Sequence, residues 1–401
     1  MPPSPVFFLL KYYNPLLRSE LLNFINVDQE WFFFKSWVYG PVHNLWLLPL
    51  VFSVHSVALI FRCLLIFYVL LTFLVSLLLC KALIKNKDLL FFVAFFTIIL
   101  GSFSILENFA QRNVELLEFS LIIVAYLCLR KNRDFMAGVF LCLAAMAKLL
   151  PIIFFPYLLV KRRSRAAIGF ITALLVIIAL TQLTLGWQNW AMLDAKVMRE
   201  GGVALELDQF LGKTYFTPIS QARGSFYTFI LSFFAKIDMS SYIPKVTYNN
   251  FLIPNWIYII FSLIFIITTF LLFYVTGRRG NLFYEFAIVL LLMLLISHHT
   301  NPHYYIFTLL AFMSILKFYT YDMSSHKLSY PVRLLLFLSF VFSLLATGHL
   351  IPFSLYQRIL HLKNSAFHYF STYGIFGIAT FILWWVVIWI YWLDYTKNGP
   401  D

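Results

Sequence analysis

The sequence predicts an all-α polytopic integral membrane protein, a helical bundle of about ten spans with at least one broken helix, and three observations carry that prediction. First, 62% of the 401 residues are hydrophobic and only 12% are charged, with a mean hydropathy of +0.84; a soluble domain holds its apolar share nearer half. Second, apolar runs recur near 56–80, 89–109, 114–129, 166–185, 255–276, 282–298, 303–319, 333–349 and 371–393. Each is about long enough to cross a bilayer, which takes roughly 17 to 25 helical residues. Third, the stretch from Ala144 to Arg163 interrupts an apolar run with Lys148, Pro151 and Pro156. An ionisable side chain at that depth is costly, and Pro151 removes a backbone donor where hydrocarbon offers no water in its place.

The formal net charge is +13, yet the cations are not spread as a nucleic-acid surface would have them. They gather at the ends of apolar runs, at Lys81, Lys85 and Lys87, at Arg130, Lys131 and Arg133, from Lys161 to Arg165, and at Arg278 and Arg279. That is the positive-inside pattern, which sets orientation and favours contact with anionic membrane lipids; it excludes nucleic acid as the expected partner. The segment 134–160 decides how the pattern is read. A single crossing would put the cluster at 161–165 opposite the one at 130–133. Two half-helices that dip in and return around Lys148 and Pro151 keep every basic cluster on one face, and this is the expected path.

With the basic loops cytoplasmic, the segments left outside are the first 45 residues, the turns near 108–113, 299–303 and 350–369, and the long stretch 186–254. That stretch holds Asp194, Arg199, Glu200, Glu206, Asp208, Lys213 and Arg223. Its apolar piece Phe226 to Phe234 is too short to span and reads as an interfacial helix. The expected organisation is one membrane domain in four parts. Residues 1–45 form an extracytoplasmic or interfacial segment, 46–185 carry the N-terminal spans and the broken helix, 186–254 form the external loop, and 255–401 carry the C-terminal spans. No adequate apolar run precedes Asn44, so the natural protein or its relatives are expected to carry one more N-terminal span. Cys63, Cys80, Cys128 and Cys142 lie inside apolar runs with no metal-ligand spacing, and read as packing residues.

Four polar groups converge on the outer face in this topology. Asp28 and Glu30 precede an interface rich in Trp and Tyr, where a carboxylate can act as general base; the plainer reading is a solvated loop. Gln111, Arg112, Asn113, Glu115 and Glu118 form the second group. Glu115 and Glu118 are three apart and share a helix face; they serve either as a pocket wall that orients sugar hydroxyls or as a structural ion-pair network. Lys148 is the third, either a point charge for phosphate or a salt-bridge partner of Glu115 or Glu118. The fourth is SHHTNPHYY, with His298, His299 and His303. These histidines can meet a phosphate or anchor at the aromatic belt, and a metal site is not expected because adjacent histidines point apart. No P-loop, nucleophile elbow or zincin motif is present.

The order of these features resembles the polytopic glycosyltransferases of family 87, mannosyltransferase-like enzymes of the C-type (GT-C) fold. Tyr39, Gly40 and Pro41 followed by Leu47 to Pro49 match a Tyr-Gly-Pro element with its LLP run. Ala110 to Asn113 match a later Gly-Gln-x-Asn element loosely. Ala137, Gly138, Ala147, Lys148 and Pro151, ending at Lys161 to Arg163, match the most specific block closely; Ser297, His303, Tyr304 and Tyr305 match a late turn. In this family a carboxylate after a first span is taken as the base, and Asp28 stands nearest that position. The resemblance implies a polyprenyl-phosphate sugar donor, a lipid or glycan acceptor, inversion at the anomeric carbon, and a site outside a multi-pass protein of the plasma membrane. It implies no nucleotide, cofactor or obligatory metal. A transporter or flippase, or a ligase or polymerase of lipid-linked saccharides, would also need broken helices and buried charges. The transporter would show a two-fold repeat and polar groups near the midplane, and the sequence displays neither.

Overall fold

The computed structural model describes residues 115–185, 252–297, 302–318, 330–346 and 374–397, two short strands, and isolated positions in 66–78 and 226–233. The described residues are almost entirely helical. The N-terminal segment, the expected span 89–109 and most of the expected span 56–80 lie outside them.

The chain divides into two compact units. In the first, α1 (Glu115–Arg130), α2 (Asp134–Ala147) and α4 (Ser164–Leu185) pack in the order α1, α2, α4. The contact between α2 and α4 is unusually close. A Cβ placed on Gly138 would collide with the Ala166 carbonyl oxygen, and one on Gly169 would collide with the Phe135 carbonyl oxygen. Small residues that let backbones touch are how helices associate where lipid is as apolar as any side chain. The Ala-Gly pair at 137–138 is therefore a packing device.

The predicted helix interruption is present. Helix α2 ends at Ala147, Lys148 takes an extended conformation (φ −153°, ψ 140°), and a 3₁₀ turn runs from Leu150 to Ile153. Helix α3 then covers Phe154–Val160. Pro151, which cannot donate, stands in the 3₁₀ turn, where the α-helical ladder is already broken. At 1.5 Å per residue α2 is about 21 Å long, short of the ~30 Å hydrocarbon layer.

Both basic turns close by one device. After α1, the Arg133 amide donates to Cys128 O (2.8 Å) and the Asn132 amide to Leu129 O (3.1 Å), with Asn132 at φ 55°. After α3, the Arg163 amide donates to Leu158 O and the Arg162 amide to Leu159 O (2.9 Å each), with Arg162 at φ 53°. These are Schellman turns without glycine, in which a left-handed residue satisfies the last carbonyls of the helix.

The second unit contains α3, α5 (Leu252–Thr276), α6 (Leu282–Leu295), a 3₁₀ segment Pro302–Thr308, α7 (Leu309–Lys317), α8 (Tyr330–Ala346) and α9 (Ile375–Lys397). Helix α6 is buried from Phe283 to Leu295, as expected of a helix apolar on every side. It packs on α9, α7 and α5. Two stretches, Ile259–Arg279 and Ile375–Lys397, are long and apolar enough to cross a membrane. Large apolar side chains stand exposed along α4 and α5, among them Leu175, Leu183, Ile264 and Leu271; acyl chains would cover them at no cost, whereas water would not. Hydroxyls inside the apolar helices bond back to their own backbone, as Ser314 does to Leu310 O and Thr380 to Phe376 O.

Two readings need correction. Ala235–Asp238 (β1) and Lys245–Tyr248 (β2) form an antiparallel pair, with Ala235 opposite Tyr248 and Asp238 opposite Lys245. The stretch expected outside the membrane thus holds a short antiparallel strand pair, while the other described residues are almost entirely helical. Phe226, Phe229 and Ile230, within the expected short helix, are helical, and Phe226 is buried among Phe261, Phe265 and Phe381. Lys161, counted with the surface cations, is 1% exposed. Its ammonium lies 2.5 Å from Glu285, which also accepts from the Tyr157 hydroxyl (2.7 Å) and the Tyr391 hydroxyl (2.8 Å). This cluster ties α3, α6 and α9 together with every polar partner supplied from inside the second unit.

Candidate active site

The candidate site is in the first unit, where the start of α1 meets the end of α2. Glu115 opens α1 and Glu118 lies one residue short of a full turn further on, so both project from one face. Both lie in the first described turn of α1. Lys148 approaches because α2 stops at Ala147 and the extended Lys148 backbone leaves the helical path. Its Nζ is 2.5 Å from Glu115 Oε1.

The three groups differ in exposure. Glu115 and Glu118 are fully buried, while the Lys148 side chain retains 13% exposure. Neither oxygen of Glu118 has a hydrogen-bond partner among the described residues, although its carboxylate lies within electrostatic range of both Lys148 and Glu115. Two carboxylates therefore share one ammonium. A buried acceptor without a donor costs several times what an average hydrogen bond contributes. Such a group is suited to a ligand that brings hydroxyl donors. The Lys148 ammonium, paired with Glu115 on a side chain 13% exposed, is a fixed positive charge of the kind that stabilises an anion.

Of the alternatives the sequence left for Lys148, the ion pair is formed, and its partner is Glu115. Of the late turn, His303 lies in the 3₁₀ segment Pro302–Thr308, followed by the buried Tyr304 and Tyr305. The Tyr305 ring packs 5.0 Å from Phe376, which fixes this segment to α9. Asp28, Glu30, Gln111, Arg112, Asn113, His298 and His299 lie outside the described residues, as does the side chain of His303. Among the described residues no cluster of His, Cys, Asp and Glu has the makings of a metal site. The Lys161–Glu285 pair was missed because its partners are far apart in sequence; the one available signal was a lone Glu285 inside an apolar run.

No curated protein and no solved structure matches the chain. The sequence does match the model of glycosyltransferase family 87 over residues 37–298, a region that holds α1, the interrupted helix and the Lys148–Glu115–Glu118 cluster. That is well over half of the chain, which belongs to glycosyltransferase family 87.

Proposed function

We propose that this glycosyltransferase moves a hexose, mannose in the first instance, from a polyprenyl-phosphate donor to a lipid or glycan acceptor, with inversion, as a multi-pass enzyme of the plasma membrane. The reading places the reaction on the extracytoplasmic side, with α2 and α3 as half-helices of a re-entrant path and the basic turns on the cytoplasmic side. The observation that supports it most is the buried cluster of Lys148, Glu115 and Glu118, with Glu118 lacking any donor among the described residues.

Each residue then has a task. The leaving phosphate needs charge stabilisation, which the partly exposed Lys148 ammonium supplies. Sugar hydroxyls donate to Glu118, with Gln111, Arg112 and Asn113 immediately upstream as further contacts, and His298, His299 and His303 contribute donors to the phosphate. Asp28, or Glu30 beside it, takes the proton from the acceptor hydroxyl. The acceptor oxygen forms its bond to the anomeric carbon as the bond from that carbon to the phosphate oxygen breaks. The electron pair leaves on the phosphate and the proton stays on the carboxylate. Attack from the face opposite the phosphate gives inversion.

The test is transfer of label from radiolabelled polyprenyl-phosphate mannose to a lipid extract of the host by the protein in membranes, alongside nucleotide-linked mannose. Label moved from the lipid donor alone, and lost in Asp28→Asn, is the expected result. Transfer from the nucleotide donor, or from a lipid-linked glucose in preference, would replace the donor assignment.

A further inference from the structure

A second lipid contact is written on the exposed surface of the second unit's longest helix. Ile260, Ile264, Ile267, Leu271 and Tyr274 follow one another on α5 at intervals of four, three, four and three residues, and every one of them is exposed. Residues so spaced form one lane along a helix. Just past the end of the helix stand Arg278 and Arg279, both exposed. The Arg278 guanidinium donates to the Arg162 carbonyl oxygen at 2.5 Å. This bond holds the turn after α3 against the foot of α5 and brings a third exposed guanidinium, that of Arg162, to the same end.

The charge there is not balanced from within. Glu285 is engaged by Lys161, Tyr157 and Tyr391, and Asp394 receives the Asn281 amide at 3.1 Å. Among the described residues Arg162, Arg278 and Arg279 have no ion-pair partner. Arg162 also holds the left-handed conformation (φ 53°) that side chains other than glycine and asparagine seldom adopt. Gly277, at φ 53° with open space around it, turns the chain so that Arg278 and Arg279 follow directly on the helix end.

We propose that this lane and its arginine rim are a binding site for one anionic phospholipid, with the headgroup phosphate on Arg278, Arg279 and Arg162 and an acyl chain along Ile260 to Tyr274. From Ile260 to Tyr274 the lane rises about 21 Å at 1.5 Å per residue, enough to cover the ~15 Å depth of one leaflet's hydrocarbon. Guanidinium forks match phosphate oxygens two at a time, which a lone snorkelling cation cannot do. The site is built from residues of the second unit and shares none with the Lys148 cluster, and the lipid it holds is not consumed.

Native mass spectrometry of the full chain tests this, with phosphatidylglycerol, phosphatidylcholine and polyprenyl phosphate offered at equal concentration. One phosphatidylglycerol is expected to be retained about tenfold over phosphatidylcholine, with the preference lost in Arg278→Gln/Arg279→Gln. The pair Arg278→Lys/Arg279→Lys, which keeps the charge and removes the forks, is expected to fall between and serves if the neutral pair does not fold. Equal retention of the two phospholipids, unchanged preference in both variant pairs, or stronger retention of polyprenyl phosphate would each overturn the proposal.

Discussion

Lys148 is already bonded to Glu115 at 2.5 Å, so its two possible roles, tether and anion contact, separate by substitution. Lys148→Met alone leaves two buried carboxylates facing each other and should lower stability by about 3 kcal/mol. It should also cost about 10² to 10³ in kcat if the ammonium stabilises the leaving phosphate. Pairing it with Glu115→Gln removes one of the two orphaned charges, so denaturation in detergent should return part of the way to wild type while transfer stays lost. Recovery of transfer in the double variant would show that Lys148 only holds helices together. Glu118→Gln keeps shape but replaces an acceptor with a partial donor; we expect KM for the sugar substrate to rise about tenfold, as for one lost hydrogen bond to a charged group, with Tm nearly unchanged because Glu118 has no described partner to lose. The Lys161–Glu285 pair should behave in the opposite way. Lys161, Glu285 and the two tyrosines bonded to Glu285, Tyr157 and Tyr391, are all buried, so Glu285→Ala should destabilise by about 3 to 5 kcal/mol and should act on activity only through the amount of folded protein, read from kcat per folded molecule.

Among the elements, α2 and its surroundings were the most legible in the sequence and the strand pair the least. Lys148 and Pro151 announce the break because each conflicts with a continuous membrane helix for an independent reason, one by charge and one by the missing amide. Lys148's partner was narrowed to Glu115 or Glu118 by the three-residue spacing, but choosing between them requires the angle at which α2 ends, which no local pattern encodes. The strand β2 reads Lys-Val-Thr-Tyr, a β-favouring composition, yet at four residues it was too short to stand out as a strand. Gly138 was recognised as part of a motif without its cause; the backbone of α4 passing where a Cβ would be supplies that cause. Gly138→Ala should therefore separate α2 from α4 and cost about 1 to 3 kcal/mol by overpacking, seen as a lowered Tm in detergent, and Gly169→Ala should do the same from the facing helix. Gly277→Ala meets nothing within reach, and its smaller cost, about 1 kcal/mol from the left-handed backbone alone, makes it the control.

At the scale of the whole molecule, charge placement carries the topology. The turns at 131–133 and 161–163 close by the same geometry, and both expose arginines: Arg133 after α1 and Arg162 after α3. A pair of half-helices would put both turns at one side of the bilayer, and a single crossing would put them on opposite sides. Which path holds decides whether the Lys148 break faces the same compartment as the stretch 186–254, proposed to lie outside. Labelling in a background without the four native cysteines settles it, using Lys131→Cys, Arg165→Cys and Ser220→Cys with a membrane-impermeant maleimide on intact cells. Lys131 and Arg165 are exposed, so neither should be shielded by the fold. The expected outcome is modification of Ser220→Cys alone, with Lys131→Cys and Arg165→Cys reacting together only after the membrane is opened. If Arg165→Cys were to label on intact cells while Lys131→Cys did not, 134–160 would cross the membrane once, the positive-inside reading would fail at 161–165, and the assignment of an extracytoplasmic site at Lys148 would have to be rebuilt from the other side.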